Sequence, residues 1–292
     1  MRSLVIGDTQ LDKPSIEELM LIHQEILTYQ ADNIIHLGDF FEKNRPSPKE
    51  IEIGAMITRQ WVERFKSVII LSGNHDDLDD KTSSVDYLKY VGAKVYHTAM
   101  DFGPYFFGHF FVDKSPLPVN LQKEKLQSLE ALEKDHKFVL LGHVHDFTKM
   151  SDKSYHLGSV RYCSFGEKDE PKRLAILENN KIEFKNINST IPIKTVSDSK
   201  ELEKIDPDTK VRLIVSSFAD MKNVVSKINA WKSMFYQFKL KLDFTAESLP
   251  SIETPKERKS NGQIIKKWLE QVEDQEVREE LVLEFEHYSL DF

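Results

Sequence analysis

Short apolar runs alternate with amphipathic stretches over the first hundred residues. Leu4-Val5-Ile6, Ile34-Ile35-His36-Leu37 and Val68-Ile69-Ile70-Leu71 read as buried strands. Between them, Leu19, Ile22, Ile26 and Leu27 recur at three- and four-residue spacing behind Pro14-Ser15-Ile16-Glu17-Glu18. Ile53, Met56, Ile57 and Val62 do the same behind Pro48, so both stretches predict helices. A short helix is expected around Ser84 to Tyr90. Another, with Leu126, Leu129 and Leu132, precedes a further buried strand, Phe138-Val139-Leu140-Leu141. The aromatic run Tyr105-Phe106-Phe107 reads as a strand as well. This order implies an α/β fold, with sheet strands covered by helices and joined by right-handed crossovers.

From Tyr155 the pattern changes to short strands. Arg173 to Leu177 and Lys181 to Phe184 flank the turn Glu178-Asn179-Asn180 and predict a hairpin. The segment Asn186 to Asp208 is polar and contains Pro192 and Pro207, which places a domain boundary there. A small α/β unit follows: a strand over Val211–Val215, a helix over Met221–Trp231 and a strand over Phe238–Phe244. Residues 246–260 read as a polar linker, and one helix is expected from about Gln263 to Tyr288. The predicted division is 1–190, 191–248 and 249–292. The apolar face of the last helix, with Trp268, Leu269 and Phe285, either folds back on its own unit or docks on another protein.

Composition narrows the class. A chain of 292 residues fits two domains of roughly 150 residues each. The apolar runs are too short for a bilayer, which takes about 20 residues, so no membrane role is expected. Met1-Arg2-Ser3 runs straight into a strand and does not read as a cleavable signal. The single cysteine, Cys163, excludes an internal disulfide framework, fits a reducing cytoplasm and reads as a packing residue. The net charge of −8 argues against indiscriminate nucleic-acid binding. Two divalent cations would offset about four of those charges. Local basic patches, such as Lys232 with Lys239 and Lys241, leave nucleic acid open as a substrate.

The candidate chemistry sits where glycine ends a strand. The segments are Gly7-Asp8-Thr9-Gln10, Gly38-Asp39-Phe40-Phe41-Glu42, Gly73-Asn74-His75-Asp76, Gly108-His109 and Gly142-His143-Val144-His145. Carboxylate, amide and imidazole groups at the carboxyl ends of neighbouring strands form the usual site of an open α/β sheet. A phosphodiester resists hydrolysis because its oxygens repel nucleophiles and the alkoxide leaves poorly. Two cations about 3.5–4 Å apart address both problems, and a bridging carboxylate such as Asp39 would hold them. Nitrogen and oxygen ligands without thiolate suit Mn, Fe, Co or Zn rather than Ca.

These five segments resemble the signature of the calcineurin-like metallophosphoesterases: D-x-H, G-D-x-x-D/E, G-N-H-D/E, H and G-H-x-H, in that order. The resemblance implies a metallophosphoesterase sheet sandwich flanked by helices. It also implies a first metal on Asp8, Gln10, Asp39 and His145, and a second on Asp39, Asn74, His109 and His143. His75 would then be the unligated imidazole that protonates the leaving oxygen. Gln10 departs from the pattern, because it puts an amide where the family has an imidazole. An amide oxygen suits Mn or Mg better than Fe or Zn, so manganese is favoured, with magnesium, cobalt or iron as alternatives.

The stretch Gly158-Ser159 … Arg161 … Phe165-Gly166-Glu167 … Lys172 is similar to that of the SbcD family of DNA-repair nucleases. This similarity implies a metal-dependent exonuclease and endonuclease with a small α/β capping domain and a C-terminal helix. The implied partners are DNA and an SbcC-type coiled-coil ATPase; a homodimer is a separate expectation. Two other functions fit the same residues: a stand-alone phosphatase, and a DNA-end-binding scaffold weakened at Gln10.

Several residues carry two readings. Asp76 is expected to orient His75, with the neighbouring Asp12, Asp77, Asp79 and Asp80 as loop charges. His156 and Arg161 are candidates for holding the substrate phosphate, or else are structural. His97 and His136 are substitutes for His109. His36 reads as core, and His23 and His287 as surface groups. Phe41 or Phe111 is a candidate for stacking a base.

Overall fold

The structure, a computed structural model, describes residues 1–79, 81–117, 126–243, 265–266, 268–270, 272 and 274–286. It divides into two units, Met1–Thr190 and Ile191–Phe292. The first begins with β1 (Arg2–Ile6), α1 (Ile16–Thr28), β2 (Asn33–His36), α2 (Pro48–Arg64), β3 (Ser67–Ser72) and β4 (Lys94–His97). Local chemistry sets the helix starts. Ser47 and Glu50 cap α2 reciprocally, with Pro48 in its first turn. The hairpin β10 (Arg173–Glu178) and β11 (Lys181–Asn186) turns at Asn179 and Asn180, both at positive φ of 51° and 59°. These strands form one sheet in the order β11-β10-β1-β2-β3-β4. The run from β1 to β4 is parallel.

A second sheet has the order β5-β6-β7-β9-β8. Its strands are β5 (Ala99–Phe102), β6 (Tyr105–Gly108), β7 (Phe138–Leu141), β8 (Thr148–Lys149) and β9 (Ser154–His156). The two sheets pack face to face: Val5, Ile35, Ile69 and Leu71 of one meet Phe107, Leu140 and Tyr155 of the other. On the outer face of the first sheet, Leu4, Ile6, Ile34 and Ile70 pack against Leu19, Ile22 and Ile26 of α1 and Ile57 and Trp61 of α2. On the outer face of the second, α3 (Leu129–Asp135) packs Leu129 and Leu132 on Phe106 and Val139. The result is the expected sheet sandwich flanked by helices. Strands buried on both sides explain why their sequences are unbroken apolar runs.

The second unit is a parallel sheet of β12 (Ile193–Val196), β13 (Lys210–Val215) and β14 (Gln237–Leu242). Strand β12 lies in the segment read as a polar boundary, because only Ile193 and Val196 of its four residues are buried. The helix expected over Met221–Trp231 is two, α4 (Phe218–Val224) and α5 (Ile228–Met234), joined by a short 3-10 turn.

The terminal helix is interrupted as well. Asp274 Oδ1 accepts the Val277 N–H at 3.0 Å and starts α6 (Gln275–Glu286) afresh. This stretch carries two readings, folding back on its own unit or docking on another protein. Ile265, Leu269, Val272, Val277 and Leu281 lie in the core of the second unit, beside Leu213, Trp231 and Leu240, and Trp268 packs against them, as the first reading expects. The side chain of Phe285, with Phe244, Asp80, Tyr288 and His287, lies outside the described residues.

His23 is corrected: it is buried, bonded to Gln60 and beside Trp61, because it faces α2 rather than solvent. Among the described residues no helix is long and apolar enough to cross a membrane.

Candidate metal centre

Each expected site segment leaves the carboxyl end of a strand in the first unit: Asp8 and Gln10 after β1, Asp39 after β2, Asn74 after β3, His109 after β6, and His143 and His145 after β7. Glycine lets these ends crowd together. Gly38 holds a φ of +99°, and a Cβ there would lie 2.5 Å from His109 Nδ1. One on Gly142 would lie 2.6 Å from the Leu37 carbonyl and 2.7 Å from both Asp8 and His109. Gln10, Asp39 and His143 themselves take positive φ of 44°, 52° and 75°. Strained backbone of this kind clusters at functional sites.

Asp8, Asp39 and His109 form a buried floor, while His75, His143 and His145 are half-buried and Asn74 is exposed. The ligand atoms of Asp8, Asp39 and His145 lie within 4.8 Å of one another, as do those of Asp39, His109 and His143. Asp39 belongs to both groups, as a bridging carboxylate must. Asn74 Oδ1 lies 3.2 Å from His109 Nε2. Gln10 Nε2 lies 2.9 Å from His145 Nε2. The fold thus brings all seven candidate ligands into two adjoining sets.

Burial disfavours ionisation of both carboxylates. It raises Asp8, whereas His109 and the His75 N–H overcome it at Asp39 and bring that group down to about 2. At His109 burial works against the charge, yet Asp8, Asp39 and the Leu37 carbonyl outweigh it and raise the ring to about 9. His109 Nε2 sits 3.2 Å from Asp39 Oδ2, and Nδ1 2.7 Å from the Leu37 carbonyl. A proton on this ring would offset one of the two buried carboxylate charges. The ring must shed its Nε2 proton to act as a ligand. Paired acids, neutral amides and imidazoles around one shared carboxylate fit two divalent cations.

The contacts revise the expected role of Asp76 and favour the structural one of the two readings of Arg161 and His156. Asp76 does not face His75: its carboxylate accepts the N–H groups of Phe40, Phe41 and Gly73 at 2.9–3.0 Å and ties two site loops together. The orienting partner of His75 is the Glu42 carbonyl, 2.7 Å from Nδ1. Arg161 is buried and donates to the carbonyls of Thr9 at 3.1 Å and Gln10 at 2.6 Å, so it shapes the first loop rather than meeting substrate. His156 is also buried, between the Gly142 carbonyl at 2.8 Å and Ser115 Oγ at 2.7 Å. Burial lowers it to about 4. Nothing in their residue types separates these roles from phosphate binding; only the depth of the strand ends does.

Elsewhere, His36 is core as read, bonded to Thr9 Oγ1 at 3.1 Å. His97 and His136 pair with Asp86 and Asp101 away from the ligand groups. Phe41 is fully buried and unavailable for stacking, whereas half-buried Phe111 meets the His143 ring edge-on at 4.2 Å. Burial pushes the Cys163 thiol up to about 12, which fits a packing residue better than a nucleophile.

Residues 1–184 match the calcineurin-like phosphoesterase family. The chain belongs to the calcineurin-like phosphoesterases. The two ligand sets are where a chain of this family would hold its ions. A 78-residue stretch is 33% identical to the DNA double-strand break repair protein Mre11 of Nanoarchaeum equitans. It covers 25% of this chain and 22% of that protein's length. Among solved structures, the nuclease MPE of Pseudomonas putida is similar at a TM-score of 0.35 and 17% identity, covering 63% of this chain and 87% of that one. Vps29 of Entamoeba histolytica gives a TM-score of 0.37 at 15% identity, covering 64% of this chain and all of the other.

Proposed function

We propose that this phosphoesterase is a manganese-dependent DNA nuclease of the SbcD type, acting in recombination and repair. The observation that carries the reading is the paired ligand set sharing Asp39, with His75 anchored through Nδ1 at its half-buried rim. The stretch from Gly158 to Lys172 and the partial likeness to an Mre11 support DNA as the substrate. When bound, two divalent ions screen the phosphate charge and make water a better nucleophile. The chain's own contribution is positional. Asp39 accepts the His75 N–H at 2.9 Å, so the residue that bridges the ligand groups also fixes the backbone of the general acid. With Nδ1–H donated to the Glu42 carbonyl, a second proton taken up on Nε2 is the one the ring would hand to the leaving oxygen, returning to the Nδ1–H form. An SbcC-type ATPase and a cytoplasmic setting belong to the same proposal and rest on the resemblance and the single cysteine; a homodimer is proposed separately from that resemblance.

The test is incubation of the purified protein with labelled single- and double-stranded DNA across manganese, magnesium and cobalt. Cleavage that is strongest with manganese is expected. Hydrolysis of small esters alone would replace this reading with a phosphatase, and end binding without turnover would replace it with a scaffold.

A further inference from the structure

His145 has its two ring nitrogens in different company. Nε2 faces the Gln10 amide at 2.9 Å and Asp8 at 3.8 Å, and Nδ1 faces Glu167 Oε1 at 3.5 Å. Glu167 is not a loose surface acid, since its side chain is only 5% exposed. One oxygen accepts the N–H groups of Cys163 at 2.8 Å and Ser164 at 2.7 Å. The other takes the Lys172 ammonium, which also bonds Ser159 Oγ at 3.0 Å and the His145 carbonyl at 2.9 Å. A carboxylate held on both oxygens cannot swing away from the imidazole.

We infer that Glu167 is a positioning residue: it keeps the His145 proton on Nδ1, so that the Nε2 lone pair points at the first metal position. Carboxylates behind ligating histidines fix the tautomer and raise ligand basicity. Here that matters more than usual, because Gln10 supplies a neutral amide where the family signature has a second imidazole. The electron density offered to the first ion then comes from Asp8, the shared Asp39 and His145, and Glu167 strengthens the third of these.

His145, Cys163 and Glu167 also lie within 4.8 Å of one another. The Lys172 ammonium already holds one oxygen of Glu167 and the N–H groups of Cys163 and Ser164 hold the other, so this acid is committed to the imidazole rather than to a further ion.

This inference rests on the metal reading of the site, not on DNA as the substrate. The test uses the full chain carrying Glu167→Gln together with Lys172→Met, so that no ammonium is left without its acid. Two-bond nitrogen NMR of labelled histidine, at alkaline pH where the ring is neutral, reads the His145 tautomer without metal. Manganese titration followed by electron paramagnetic resonance reads the two sites separately. The expected result is a shift of His145 toward the Nε2–H tautomer. The first manganese site should also weaken by about 10–100-fold, with the second unchanged. Adding Gln10→His should restore most of the lost affinity. An unmoved tautomer, an unchanged first site or equal loss at both sites would overturn the inference. Neither readout involves DNA, so failure to cut DNA bears on the nuclease reading alone.

Discussion

A histidine that lends a proton must have its other nitrogen committed, and for His75 the Glu42 carbonyl at 2.7 Å is that partner. Because the ring is in neither ligand group, His75→Ala should cut hydrolysis by about 10²–10⁴-fold with metal content almost unchanged. Metal analysis and rate on one preparation decide this, and joint loss of both would make His75 a ligand. Gln10 makes the opposite case. It already holds a φ of 44°, a conformation histidine tolerates better than most residues. Gln10→His should therefore fit, tighten the first ion and broaden use to cobalt and zinc. If titrating activity against each metal gives the same midpoints as the parent, Gln10 does not coordinate.

At the scale of elements, the site depends on how strand ends are tied to one another. Asp76 joins the loops after β2 and β3 through three buried N–H groups, and burial holds its carboxyl up to about 7 against those bonds. Asp76→Ala would leave all three donors unpaired, at about 1–3 kcal/mol for each. A loss of urea stability below 1 kcal/mol, about the cost of one such bond, would mean that water replaces the carboxylate. His36 and His156 tie other segments as neutral rings, lowered by burial from 6.5 to about 3 and about 4. The unfolded chain takes up protons below about 6.5 that these folded rings refuse. Stability from them is complete above that pH and is lost as pH falls, by up to about 1.4 kcal/mol per pH unit for each ring. A change in urea stability between pH about 7 and about 5 that is the same in the parent, His36→Gln and His156→Gln would contradict this, because Asp76 contributes with the opposite sign in all three. The strands and their glycine ends were legible because strands buried on both faces show as unbroken apolar runs. Burial of His23, β12 with its two exposed central residues, and the restart of α6 at Asp274 were not. Each depends on what lies opposite or on a cap, which periodicity does not record.

For the whole molecule, the ligand sets and the terminal helix belong to different units, and that separation is open to measurement. Every candidate ligand lies before residue 190, whereas Leu269 and Leu281 are buried in the core of the second unit. Truncating a buried leucine to alanine costs about 2–5 kcal/mol, through lost burial and the cavity left behind. If each unit folds around its own core, calorimetry should resolve two transitions. Leu269→Ala should then lower only one of them, and the hydrolysis of a small phosphodiester should keep its rate. Adding manganese should raise only the other transition, because a ligand stabilises the unit that binds it. A single transition that moves with both the substitution and the metal would show that the two cores unfold as one. In that case the terminal helix would support the catalytic unit as well as its own.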